Sequence, residues 1–109
     1  MLRTDGDVRE LYLTAVLARV LALPWNDASR LAASGDGLSD VQVDRLVDEL
    51  GNPYDSGARW CSTVMLYRSR NDDPATVTGA LLRALRTESA RENLRAIGSA
   101  LAGVDPLTI

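Results

Sequence analysis

The chain has 109 residues, of which 46% are hydrophobic and 25% charged, and its formal net charge is −3. This size and balance predict one globular domain, with no general attraction to nucleic acid or to an anionic membrane surface. Histidine is absent and cysteine occurs once, which excludes the commonest general base, an internal disulfide and a cysteine-based zinc site. We expect no cofactor and no metal.

The longest apolar stretch covers residues 11–23. It is too short to span a bilayer, and it contains Arg19. Acidic residues precede it, which argues against a signal peptide. A single cysteine is typical of a reducing compartment. We therefore expect a cytoplasmic protein that does not enter a membrane.

Apolar residues recur at helical spacing along the chain, and this period predicts six helices. The first covers about residues 7–23 and ends at Pro24, and the second begins at residue 25 or 26 and ends near residue 33. The third ends at Leu50, the fourth covers about residues 56–70, and the fifth begins at Pro74. The sixth ends near residue 103 or 106.

Capping signals fix several of these boundaries. Two pairs have the spacing of a capping box: Ser39 with Gln42, and Ser89 with Glu92. Gly51 stands where a left-handed C-terminal cap is expected. Asp73 precedes Pro74 and is the predicted N-cap of the fifth helix.

No segment alternates apolar and polar residues over the length of a strand, and the connections are short. We predict an all-α antiparallel six-helix bundle, one domain over residues 1–109 with its core in about residues 8–104. The predicted core side chains are Leu17, Leu46, Val64, Leu81 and Leu94, with Trp25, Cys61 and Leu85 also packed inside.

Two segments carry a more specific pattern. Residues 24–47 hold Trp25, the pair Leu31-Ala32 and a Gly-Leu-Ser-Asp start to the third helix. Residues 65–86 hold Tyr67, an Ala-Thr-Val opening and an Ala-Leu-Leu-Arg-Ala-Leu stripe. Over about residues 11–101 the chain resembles the death-domain superfamily, and the offset of Trp25 from Leu31 fits a diverged or bacterial death-like domain. The resemblance implies a death-fold bundle that assembles with like domains, commonly by joining helices 1 and 4 to helices 2 and 3.

Charge is unevenly distributed along the chain. Residues 27–55 hold seven acidic residues against two arginines, whereas residues 56–70 hold three arginines and no acidic residue. The candidate interaction residues are Asp40, Asp44, Asp48 and Glu49 on an acidic surface, and Arg59, Arg68 and Arg70 on a basic surface. Complementary but different surfaces favour head-to-tail self-association.

Other functions compete with this interpretation. The row Asp40, Asp44 and Asp48 could be a merely solvated helix face, or a metal or acid–base site, although calcium prefers loops. A DNA-reading helix is disfavoured because phosphates repel these carboxylates. We therefore expect a non-enzymatic interaction module, a homotypic adaptor in signalling or defence whose partner is a like domain. The alternative is a small acidic inhibitor or immunity-type protein that binds one partner.

Overall fold

The computed structural model describes residues 5–34, 38–69 and 73–108. In these residues the chain forms six α-helices followed by a short 3₁₀ turn, and it forms no strand there. In chain order the elements are α1 Asp5–Val20, α2 Trp25–Ser34, α3 Asp40–Leu50, α4 Ser56–Ser69, α5 Pro74–Thr87, α6 Arg91–Leu101 and the 3₁₀ turn Pro106–Thr108. The predicted all-α class and the number of helices are confirmed.

Helix α4 is the centre of the molecule. It packs against α1, α3, α5 and α6, and residues 61–66 are all buried. Because this middle part of α4 is covered on every side, it needs no polar face, and the sequence of the helix is only weakly amphipathic. Helix α1 packs against α2, whose buried side chains are the small Ala28 and Ala32.

Most of the side chains that the sequence predicts to be in the core are buried. Leu17, Leu46, Val64 and Leu81 are buried, as is Cys61. These side chains belong to one continuous hydrophobic cluster.

Three predicted core side chains are exposed instead. Trp25 is 52% exposed, because it is the first residue of α2 and the inward stripe of that helix consists of alanines. Leu85 is 39% exposed, because α5 turns its stripe from Val77 to Ala84 inward instead. Leu94 is 36% exposed.

The rotation of α6 accounts for the position of Leu94. The Asn93 side-chain amide donates hydrogen bonds to the Ser56 carbonyl at 3.0 Å and to Glu88 Oε2 at 3.2 Å. These bonds hold the buried Asn93 against the start of α4, so Ala96, Ile97 and Ala100 follow it into the core. Leu94 follows Asn93 by one residue, so its side chain is rotated away from the core and is partly exposed to solvent.

The helix N-termini agree with the capping predictions at two of three places. Ser39 and Gln42 form the predicted capping box, with bonds of 3.2 and 2.9 Å. Asp73 accepts from the Thr76 N–H at 3.2 Å. The prediction of a box from Ser89 is wrong, because Ala90 is the N-cap of α6.

Two helix C-termini also differ from the sequence prediction. Helix α1 ends at Val20 rather than near residue 23, because Ala22 has a φ of 53° and leaves the helix in the left-handed region. Gly51 has a φ of −92°, so the predicted left-handed cap is absent there. After α6, which ends at Leu101, the left-handed residue is Gly103, with a φ of 83°.

Within the described residues, no helix has both the length and the apolar character needed to cross a lipid bilayer.

Candidate functional site

Three predicted acidic residues form an exposed row on α3. Asp40, Asp44 and Asp48 are all exposed, and their spacing of four residues keeps them on one side of the helix. We call these three residues the acidic row. Val41 is 77% exposed next to the row, so an apolar side chain adjoins the charges.

Glu49, the fourth predicted member of the acidic surface, belongs to the interior edge of α3. It is buried, with Oε1 2.8 Å from Arg45 Nη1 and Oε2 accepting from Asn52 Nδ2 at 3.0 Å. Arg45 is therefore paired with Glu49 and not with the row. The prediction that Glu49 lies on the exposed surface is wrong.

The predicted basic surface is also changed by the fold. Arg59 forms a two-pronged ion pair with Glu88, at 2.8 Å from Nε and 3.1 Å from Nη2, and its side chain is only 14% exposed. Its Nη1 donates to the Asn52 carbonyl at 2.7 Å. This guanidinium group joins the start of α4 to the α5–α6 connection.

Arg68 is held inside the molecule in a similar way. Its Nε lies 3.3 Å from Asp105 Oδ2, and its Nη1 donates to the Ala32 carbonyl. Arg70 lies outside the described residues. The expectation that Arg59 and Arg68 offer open charge at the surface is therefore corrected, because both find acceptors that are distant in sequence.

Glu88 is the most densely bonded carboxylate in the described part of the chain. It accepts from Arg59, from the Ser89 and Ala90 N–H groups at 3.1 and 3.0 Å, and from Asn93. Burial alone would raise its pKa, but these hydrogen bonds outweigh burial and the pKa of Glu88 is lowered. The hydrogen bonds and the negative charge of Glu88 raise the pKa of Arg59.

A groove that the sequence did not predict lies where the start of α1, the start of α4 and the start of α6 meet. It has a volume of about 510 Å³. Three arginines line it, Arg9, Arg91 and Arg95, with Glu92 as the one carboxylate among the described lining residues. We call this site the α1–α4–α6 groove.

The groove has an aromatic wall. The rings of Tyr12 and Trp60 lie 5.7 Å apart between centroids and are inclined by 43°. Gly57 also lines the groove, and a Cβ there would overlap the Tyr12 hydroxyl. The missing side chain at Gly57 is therefore what lets Tyr12 lie against α4.

Part of this groove leaves a signal in the sequence. Arg91 and Arg95 are four residues apart and share a face of one helix, as Arg9 and Tyr12 do at a spacing of three. Nothing local indicates that α1 and α6 meet at α4, so the combination appears only in the fold.

The thiol and the remaining carboxylates of the described residues form neither an activated nucleophile nor a metal-binding arrangement. Burial raises the pKa of the Cys61 thiol to about 12, so the thiolate is scarce at neutral pH. Over residues 5–34, 38–69 and 73–108, no group of three or more carboxylate or thiol side chains is arranged to hold a metal ion.

No protein-family model, curated protein sequence or solved structure matches this chain. Over the described residues, the fold is that of a small all-helical domain with six helices. Its two outstanding surface features are the acidic row and the α1–α4–α6 groove.

Proposed function

We propose that the chain is a non-enzymatic protein–protein interaction module, a death-fold-type adaptor that assembles with like domains in the cytoplasm. The observation that carries the proposal is the acidic row, whose carboxylates are exposed and adjoin the exposed Val41. Like charges spaced four residues apart destabilise an isolated helix by a few tenths of a kcal/mol per pair. A docking function explains why such a row stays on the surface.

The absence of histidine and the buried state of Cys61 support a role without catalysis. The commonest general base is therefore missing, and the one thiol is not placed to act as a nucleophile.

The complementary charge on a second copy would come from α6. Arg91 and Arg95 are exposed, and neither forms an ion pair within the described residues. Helices α3 and α6 both pack against α4, so the acidic row and these arginines belong to two separate helices. Opposite charges on different helices favour a head-to-tail contact between copies.

Charge alone would hold such a contact weakly. Each exposed ion pair contributes about 0.2–1 kcal/mol and is screened by salt. Several pairs must act together with an apolar centre, to which Val41 would contribute. We therefore expect weak association that falls as the salt concentration rises.

Sedimentation of the full chain at several salt concentrations tests this proposal. Asp44→Arg and Arg95→Glu should each reduce self-association, and the double variant should restore it. The control is Asp44→Arg combined with Arg86→Glu, which has the same net charge but changes an exposed arginine on α5. Equal restoration by the control, or association that ignores salt, would refute the contact.

One observation favours the second candidate, a small acidic inhibitor with a single partner. Arg59 and Arg68 are paired inside the fold, so helix α4 does not offer a second copy their charge. A wild-type chain that stays monomeric at high concentration would refute homotypic assembly and support this candidate.

A further inference from the structure

We propose that the α1–α4–α6 groove binds a small molecule that combines a planar ring with a phosphate group, the chemistry of a nucleoside monophosphate. This site is separate from the acidic row, but it shares Arg91 and Arg95 with the contact between copies proposed above, so a bound ligand and a second copy would compete for these arginines. Its volume of about 510 Å³ is within the usual range for small-molecule sites, roughly 300–1,000 Å³.

The ring would lie against the aromatic wall. Trp60 is half-buried and Tyr12 is 49% exposed, so both side chains are held by the fold and still present ring surface to the groove. Stacking of a base on an aromatic side chain is favourable and tolerates different rings. Gly57 keeps this wall in place, because any larger residue would move the Tyr12 hydroxyl.

The phosphate would lie at the start of α6. Arg91 and Arg95 line the groove, and a guanidinium group can donate two parallel hydrogen bonds to a phosphate. The N-cap is Ala90, whose side chain offers no acceptor to the first turn of α6. An anion there would meet both arginines and the first turn of α6, next to the Glu88 carboxylate, which already accepts from the Ser89 and Ala90 N–H groups. Glu92 is the single opposing carboxylate in the described lining.

The ring site and the anion site lie next to each other, which favours a small ligand that carries both a ring and a phosphate. Ala90 and Asn93 line the same groove as Trp60 and Gly57, so one compact molecule can reach both parts. A nucleic-acid polymer is disfavoured, because the chain carries a net charge of −3 and an exposed acidic row.

Calorimetric titration of the full chain with adenosine 5′-monophosphate, adenosine and inorganic phosphate tests the proposal. The measurement is made at a protein concentration where sedimentation shows monomer. We expect adenosine 5′-monophosphate to bind at least tenfold more tightly than either fragment, because only this ligand uses the ring and the anion sites together. If inorganic phosphate binds as tightly as adenosine 5′-monophosphate, the proposed ring site is refuted and the arginines simply attract anions.

Matched variants locate the site. Arg91→Gln should weaken nucleotide binding at least fivefold, whereas Arg86→Gln removes an exposed arginine on α5 and should leave it unchanged. Gly57→Ala should also weaken binding, with helicity unchanged by circular dichroism, because the displaced Tyr12 hydroxyl can move into solvent. Equal loss in Arg91→Gln and Arg86→Gln would overturn the proposal.

Fluorescence gives a second measurement. In a Trp25→Phe background Trp60 is the only tryptophan, and bound nucleotide should change its emission in the same concentration range. Suppose that the chain binds no nucleotide but still self-associates, and that Arg95→Glu weakens this self-association. That result would overturn the ligand assignment and leave the proposed interaction module intact.

Discussion

Replacement of Glu88 by Gln should cost about 3 kcal/mol of the free energy of unfolding. The carboxylate is almost fully buried, with a side-chain exposure of 3%. Its hydrogen-bond partners are all donors: Arg59 Nε and Nη2, the N–H groups of Ser89 and Ala90, and Asn93 Nδ2. A glutamine amide would place an NH₂ group against some of these donors. Removing one partner of a buried ion pair typically costs about 3–5 kcal/mol.

The lower end of that range applies because Arg59 keeps the Asn52 carbonyl as an acceptor. Urea unfolding followed by far-ultraviolet circular dichroism measures the loss. The matched control is Arg30→Gln, which removes an exposed pair with Asp27 and should cost less than about 1 kcal/mol. A loss for Glu88→Gln below about 1 kcal/mol, or one equal to the control, would refute the assignment of Glu88 as the link between α4 and the α5–α6 connection.

Four further predictions concern stability and reactivity. Because the pKa of Glu88 is lowered in the folded state, its stabilisation is fully present above the unfolded pKa and is lost as the pH falls through the lower folded pKa. The urea midpoint should therefore fall less steeply between pH 5 and 3 in Glu88→Gln than in the wild type. Leu46→Ala should cost about 2–5 kcal/mol in urea unfolding, and Leu94→Ala clearly less, whereas equal losses would contradict the observed rotation of α6. Cys61 should react with a thiol reagent at pH 8 only when urea unfolds the chain, and fast labelling of the folded protein would contradict its burial. Ser62 Oγ is buried with no hydrogen-bond partner among the described residues, so Ser62→Ala should leave stability unchanged or raise it by about 1 kcal/mol, and a clear thermal destabilisation would contradict this.

The features that the sequence predicted correctly depend on neighbouring residues. The capping box of Ser39 with Gln42 and the Asp73 cap join groups three residues apart, so each can form as soon as its helix begins. The burial of Leu17 and Leu46 follows from helical period alone, because one apolar face per helix is enough to mark the interior. The exposed acidic row follows from the same period.

The candidate sites depended on residues that are far apart in the chain. Arg59 and Arg68 look like surface charges until their acceptors are known, and those acceptors lie 29 and 37 residues away at Glu88 and Asp105. No local pattern indicates such a pair, because a long arginine side chain can reach either solvent or a distant carboxylate.

The sequence by itself therefore determined the six helices, most of their ends and most of the core, since period and capping act within one or two turns. The tertiary structure decided how each helix is rotated and which helix ends meet. Asn93 turned Leu94 outward through bonds to Ser56 and Glu88, and the start of α6 came to lie beside Trp60. The α1–α4–α6 groove exists because three helix starts, separated by tens of residues, pack around one point, and only packing of the whole chain brings them there.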